Sequence, residues 1–284
     1  MNLILLPIYI LVFIFGLCIG SFLNCVIYRL ETKKSLAGRS FCPKCKKQLE
    51  WYDLVPVFSF LFLKGKCRNC KQKISTQYPI IEISTGIIFL LIFYKVAVIP
   101  NLIGNLEYYQ WIPAFAGMTE MGAGMTAWIA TMVFLFYIAS VLIIIFVYDL
   151  KHYEIPDKVL IPAIIISFLY ILIFNFSGIL SHLWAVLIAA GFFFAIFFIS
   201  SGKWMGFGDV KFAVLMGLLL DVPNVLTALF LAFFFGAIIG IISMILKKTN
   251  LKSEIPFGPF LITGTLLAIL WGPRIINWYL NFLI

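Results

Sequence analysis

The 284-residue chain is 63% hydrophobic and only 12% charged, with a mean hydropathy of +1.08, whereas soluble domains hold roughly 45–50% apolar and ~25% charged residues. That composition excludes a soluble globular fold and predicts an all-α, polytopic membrane helix bundle. The formal net charge of +9 would suit nucleic acid on a soluble surface, but here the basic residues flank apolar runs, where they set orientation. The expected partner is the lipid bilayer, not nucleic acid.

A helix needs ~20 mostly apolar residues to cross a ~30 Å hydrocarbon core. The first run, 3–28, lacks a basic leader region and a small-residue cleavage site and exceeds the ~7–15 apolar residues of a signal peptide, so it reads as a retained helix. Further spans are predicted at 80–99, 127–148, 159–176, 182–200, 225–246 and 260–282. An eighth, 210–220, reaches only about 16 Å and must recruit flanking residues, thin the bilayer or line a cavity. The chain thus divides into a first helix at 1–28, a basic loop at 29–78 and a helical bundle at 79–284.

Between Arg29 and Gln77 lie twelve of the 21 basic residues against three acidic ones, which places this loop in the cytoplasm. If all eight segments cross, the loops carrying Lys151, Lys203 and Lys247 with Lys248 also fall inside, and the three outer loops contain no lysine or arginine. Both termini then face away from the cytoplasm. The long outer loop holds a near-repeat, Ala116-Gly117-Met118-Thr119 and Ala123-Gly124-Met125-Thr126, which reads as an exposed insertion without assignable chemistry.

Within the basic loop, Cys42-Pro43-Lys44-Cys45 and Cys67-Arg68-Asn69-Cys70 form a C-x2-C-x21-C-x2-C pattern. Two such turns can present four thiolates to one structural zinc, and a closed four-sulfur shell leaves no position for catalysis. Two disulfides are the alternative, disfavoured by the reducing cytoplasm. Cys18 and Cys25, in the first helix, read as small buried hydrophobes.

Asp149 closes the run 127–148, and Asp209 opens the short segment in Gly206-Phe207-Gly208-Asp209. Two carboxylates near helix ends can share a proton, one activating water while the other polarises a scissile carbonyl. Gly206 and Gly208 remove bulk and permit positive φ, letting a substrate backbone approach. Asp157, in Ile155-Pro156-Asp157, is a rival partner for Asp209 or a helix N-terminal residue. Lys211 either tunes Asp209 or anchors its helix at the interface.

Together these blocks resemble the prepilin peptidases, or type IV leader peptidases, which are G-x-G-D membrane aspartyl proteases. The resemblance runs through Gly20-Ser21-Phe22-Leu23-Asn24 with Tyr28-Arg29-Leu30, then Cys42 to Cys70 with Trp51-Tyr52-Asp53, then Tyr78-Pro79 with Glu82. It continues through Asp149 with Ile155-Pro156-Asp157, Gly206 to Lys211, and Pro256-Phe257-Gly258-Pro259. It implies a catalytic pair of Asp149 and Asp209, and cleavage after a glycine of the basic leader of prepilins or pilin-like secretion subunits at the cytoplasmic face of the bacterial inner membrane. It also implies N-methylation of the new terminus with S-adenosylmethionine, Gly65 matching a position tied to that activity. The alternatives are a related G-x-G-D protease with another single-span substrate, a transporter with an acidic relay, and a scaffold whose zinc loop docks a partner.

Overall fold

The computed structural model describes residues 6–98, 121–246 and 256–283. Among them the only extended pairing is two isolated bridges, Phe41 with Gln48 and Lys66 with Lys73. The rest of the regular structure is helical, as the composition requires. The chain divides into two compact units, one of Met1–Ile99 with Leu135–Ile144, the other of Pro100–Phe134 with Ile145–Ile284.

In the first unit, helix α1 (Leu6–Glu31) packs on α3 (Gln77–Phe93), and a short helix α2 (Phe58–Phe62) lies in the loop between them. Gly16 and Gly20 recur one helical turn apart. A Cβ on Gly16 would fall 2.7 Å from Gly86 Cα, and one on Gly20 would fall 2.6 Å from Glu82 Cα. This small-x-x-x-small spacing lets two helices meet backbone to backbone, the usual route to association where lipid removes the hydrophobic drive. Phe136, from the stretch of α4 (Met121–His152) that belongs to this unit, stacks on Phe89 with ring centroids 4.2 Å apart. At the end of α1 the buried Arg29 donates to the carbonyls of Ser35 at 3.1 Å, Leu36, and Gly38 at 2.7 Å, folding the outgoing chain back on the helix.

The second unit holds the rest of α4, α5 (Asp157–Phe174), α6 (Ile179–Ser200), α7 (Phe207–Leu219), α8 (Val222–Ile245) and α9 (Gly258–Leu283). Here too glycines set the closest approaches: Gly217 of α7 meets the backbone of Ala185 and Val186 on α6, and Gly264 of α9 that of Ala228 on α8. Helix α7 is interior. Val210, Phe212, Ala213, Leu215 and Met216 are all buried, while α5, α6 and α8 turn isoleucine, leucine and phenylalanine outward. Asp221 starts α8 immediately afterwards, its side chain accepting the Asn224 N–H at 3.3 Å, which fixes the short length of α7.

Seven helices are long and apolar enough to cross a membrane among the described residues. They correspond to seven of the eight expected spans; the eighth is α7, whose 13 residues rise about 20 Å. It gains only Phe207, Gly208 and Asp209 at its start, and because protein surrounds it, its length need not match a bilayer. The second copy of the near-repeat, from Ala123 to Thr126, lies inside α4 and not in a loop. Adding a turn to an established apolar helix costs little. The first copy, and Lys247 and Lys248, lie outside the described residues.

Candidate active site and metal centre

Asp149 sits in the last turn of α4 and is 4% exposed. Its carboxylate accepts the backbone N–H of Gly258, the first residue of α9, and a Cβ at Gly258 would land on that carboxylate. A helix N-terminus offers unpaired amides and a partial positive charge, so α9 steadies an anion here. Asp209 occupies the first turn of α7, half-buried, its own amide bonded to the Gly206 carbonyl at 3.2 Å. The charges of the two aspartates interact. The two expected carboxylates, far apart in sequence, thus both stand at helix ends of one unit, within range for their charges to interact.

The glycines beside them act otherwise than expected. Gly206 has φ −73° and ψ 148°, ordinary extended backbone that caps α7, and Gly208 lies in the first helical turn. Neither is among the positive-φ glycines, which are Gly38, Gly65 and Gly202 among the described residues. Their contribution is space. A Cβ at Gly208 would press within 3.3 Å of Ile155, whereas one at Gly206 would meet nothing closer than the Gly208 amide nitrogen at 3.9 Å.

Lys211 is engaged by Asp157, its Nζ lying 2.8 and 2.7 Å from the two carboxylate oxygens. Of the two readings of Lys211, tuning of Asp209 and anchoring of its helix, this contact gives the lysine Asp157 as its partner. Asp157 lies in the first turn of α5, as the helix-terminus reading predicts. Both side chains are partly exposed, 33% and 51%, so the pair ties the starts of α5 and α7 together without a deeply buried charge. Asp157 and Lys211 are both sequence candidates, but their pairing with each other is not among the expectations, and Gly258 enters the sequence reading only as part of a motif block.

In the first unit the two cysteine turns are built alike. The amide of Cys42 bonds to the Lys47 carbonyl at 2.9 Å and that of Cys67 to the Gln72 carbonyl at 2.9 Å. Lys46 and Lys71, which return to the Cys42 and Cys67 carbonyls, both adopt positive φ, 61° and 57°. All six cysteines are free among the described residues. The sulfurs of Cys42, Cys45, Cys67 and Cys70 lie within 4.8 Å of one another, with Cys42 and Cys70 4.0 Å apart. A tetrahedron with ~2.3 Å zinc–sulfur bonds has edges of about 3.8 Å, so the four thiols can hold a metal ion. The Lys47 backbone amide and the Asn69 side chain pull Cys45 down to about 6. At Cys70 the Gln72 amide pulls downward, but burial and the neighbouring thiols push the group up to about 11. Cys67 is likewise drawn downward by the Cys70 and Asn69 amides.

Gly65 has φ +66° and its amide bonds to the Phe60 carbonyl at 2.9 Å, closing α2 before the second cysteine turn. A Cβ there would fall 3.1 Å from the Phe60 ring. Phe60 in turn lines a cavity of about 340 Å³ whose wall includes Asn24, Tyr28, Cys42, Tyr78 and Glu82. Gly65 therefore shapes this cavity through the fold of the loop. Buried Asn24 leaves its Oδ1 without a partner among the described residues. Its volume lies in the range of small-molecule sites, and Asn24 offers it an unmatched buried acceptor.

Residues 14–96 match the family model described as the bacterial peptidase A24 N-terminal domain, and residues 136–241 match that of the type IV leader peptidase family. The prepilin leader peptidase/N-methyltransferase of Bacillus subtilis is 31% identical, the alignment covering 95% of this chain and 97% of that protein. Proteins of the same name from Legionella pneumophila and Aeromonas salmonicida are 29% and 27% identical, over 96% and 95% of this chain and 95% and 93% of theirs. No solved structure matches at a significant level.

Proposed function

Because the chain belongs to the type IV leader peptidase family, we propose that it removes the leader from prepilins or pilin-like secretion subunits and methylates the N-terminus so exposed. What supports the proteolytic part is that Asp149 and Asp209 both stand at helix ends of one unit with their charges interacting, and that Asp149 accepts the Gly258 amide. Neighbouring carboxylates cannot both ionise easily, so one proton is shared between them. The ionised member takes a proton from water as the water oxygen attacks the scissile carbonyl carbon, and the protonated member polarises the carbonyl oxygen. Collapse of the tetrahedral adduct breaks the C–N bond, and a proton from the dyad goes to the leaving nitrogen. Open space at Gly206 admits the substrate backbone, and Asp157 with Lys211 positions α7.

The substrate class suits a multi-pass membrane enzyme with its acids at helix ends: a basic leader followed by an apolar helix places its scissile bond at the membrane border. We place this chain in the bacterial inner membrane, with both the dyad and the basic cysteine loop facing the cytoplasm, on the distribution of lysine and arginine. Zinc on Cys42, Cys45, Cys67 and Cys70 would close the loop's fold. S-adenosylmethionine, when bound, supplies a methyl group on a sulfonium, and Asn24, Tyr78 and Glu82 line the cavity that would hold it. To test the dyad, Asp149→Asn and Asp209→Asn each keep side-chain size and remove proton exchange. Each should abolish cleavage of a pilin-like precursor in protein that still inserts and binds zinc, and near wild-type cleavage by either variant would sink the assignment.

A further inference from the structure

The cavity of the first unit has a polar arrangement that the proteolytic site does not use. Asn24 is 3% exposed, and its Nδ2 donates to the carbonyls of Gly20 at 3.2 Å and Tyr78 at 3.1 Å. Those two bonds fix the amide's orientation, because a flip would set oxygen against oxygen. The unmatched Oδ1 is therefore an acceptor in want of a donor.

Glu82, 6% exposed, lies across the same cavity wall. Its Oε2 accepts the Val57 N–H at 2.7 Å. Val57 has φ 61° and ψ −50°, and the Phe58 amide returns to the Pro56 carbonyl at 2.6 Å. This is a γ-turn on a β-branched residue, a strained conformation that persists only where its surroundings hold it. The strained turn and the carboxylate lock each other in place.

The other charges of the lining are spent or exposed. Arg29 is taken by backbone carbonyls, Asp53 pairs with Arg68 at 2.9 Å, and Lys44 and Lys73 are exposed. Glu82 is thus the one carboxylate on the wall that is not paired with a basic side chain. A buried carboxylate held in place by the Val57 amide, an acceptor lacking a donor, and the rings of Tyr28, Phe41 and Tyr78 nearby select a small cation with several N–H donors.

We propose that Asn24 and Glu82 form a recognition site for a primary ammonium group inside this cavity. The inference rests on the methyl-transfer reading, which supplies two carriers of that chemistry: the amino-acid end of the methyl donor and the newly exposed peptide N-terminus. Both are α-ammonium groups, and binding to the full-length chain separates them.

The probes are S-adenosylhomocysteine and a cleaved pilin-like peptide, each compared with its N-acetylated form by equilibrium titration of purified protein. Acetylation should weaken at least one probe by about tenfold or more, the scale of a lost charge-assisted hydrogen bond. Glu82→Gln still accepts the Val57 N–H but lacks the charge, and it should erase that preference while leader cleavage and zinc content stay at wild-type levels. Loss confined to S-adenosylhomocysteine identifies the donor's ammonium; loss confined to the peptide identifies the acceptor's. If wild-type protein binds both acetylated probes as tightly as the free amines, the site is refuted whether or not the variant folds. If Glu82→Gln keeps the full preference, it is likewise refuted. Wild-type protein that transfers no methyl to the cleaved peptide defeats the methyl-transfer reading instead, so the two failures are distinct.

Discussion

In the cysteine loop of the first unit, order comes from four side chains converging on one point, because the loop carries twelve basic residues and only short helical turns. In the second unit, the two carboxylates stand on the ends of helices that glycine contacts and apolar packing already fix. The first site is inseparable from the fold around it, whereas the second is mounted on a scaffold that forms without it. Equivalent substitutions should therefore have opposite consequences in the two places.

The sharpest break of that comparison is Cys67→Ser. With three thiolates left, zinc should fall from about one per chain to none, the loop should become protease-sensitive, and methyl transfer should be lost. Metal analysis and limited proteolysis check the first two, and methyl incorporation checks the third. Retained zinc with an intact loop would show that packing, not metal, orders this region.

A smaller effect is expected from Gly217→Leu, since any Cβ there collides with the α6 backbone. Overpacking of this kind costs about 1–3 kcal/mol, read as a lowered thermal midpoint. Gly191, also on α6, has nothing within 4 Å of a built Cβ, so Gly191→Ala should leave the midpoint unchanged or raise it. The two glycines sharpen the claim that particular contacts, not glycine content, hold the second unit together.

The smallest effect belongs to Asp157→Asn. A partly exposed ion pair contributes about 0.2–1 kcal/mol, so kcat/KM for cleavage should drop no more than about fivefold. Lys211→Met should match it, and the double variant should add little. A loss of several hundredfold would make Asp157 a reacting group and not a positioning one.

These contrasts also track what was legible in the sequence. The thiol cluster could be read from spacing because metal chemistry dictates it, and the interior α7 announced itself by being too short to span. Asp149 and Asp209 stood out as acids closing and opening apolar runs, although only the ordered motif blocks singled them out. Spacing carries no trace of the Lys211–Asp157 pair, whose partners come from different helices, nor of the Gly258 amide on Asp149. The orphaned oxygen of Asn24 depends on where two carbonyls point. Gly206 and Gly208 were legible as small residues, but their ordinary φ follows from α7 beginning just there, a boundary that sequence places only loosely.

A cleavage dyad separable from both folding and methyl transfer is tested by one purified protein, Asp209→Asn. Leader cleavage, methyl transfer to an already cleaved pilin-like peptide, and zinc content are measured on the same sample. No detectable cleavage is expected, with methyl transfer and zinc at wild-type levels. Cleavage of the intact precursor at near wild-type rate would contradict the dyad.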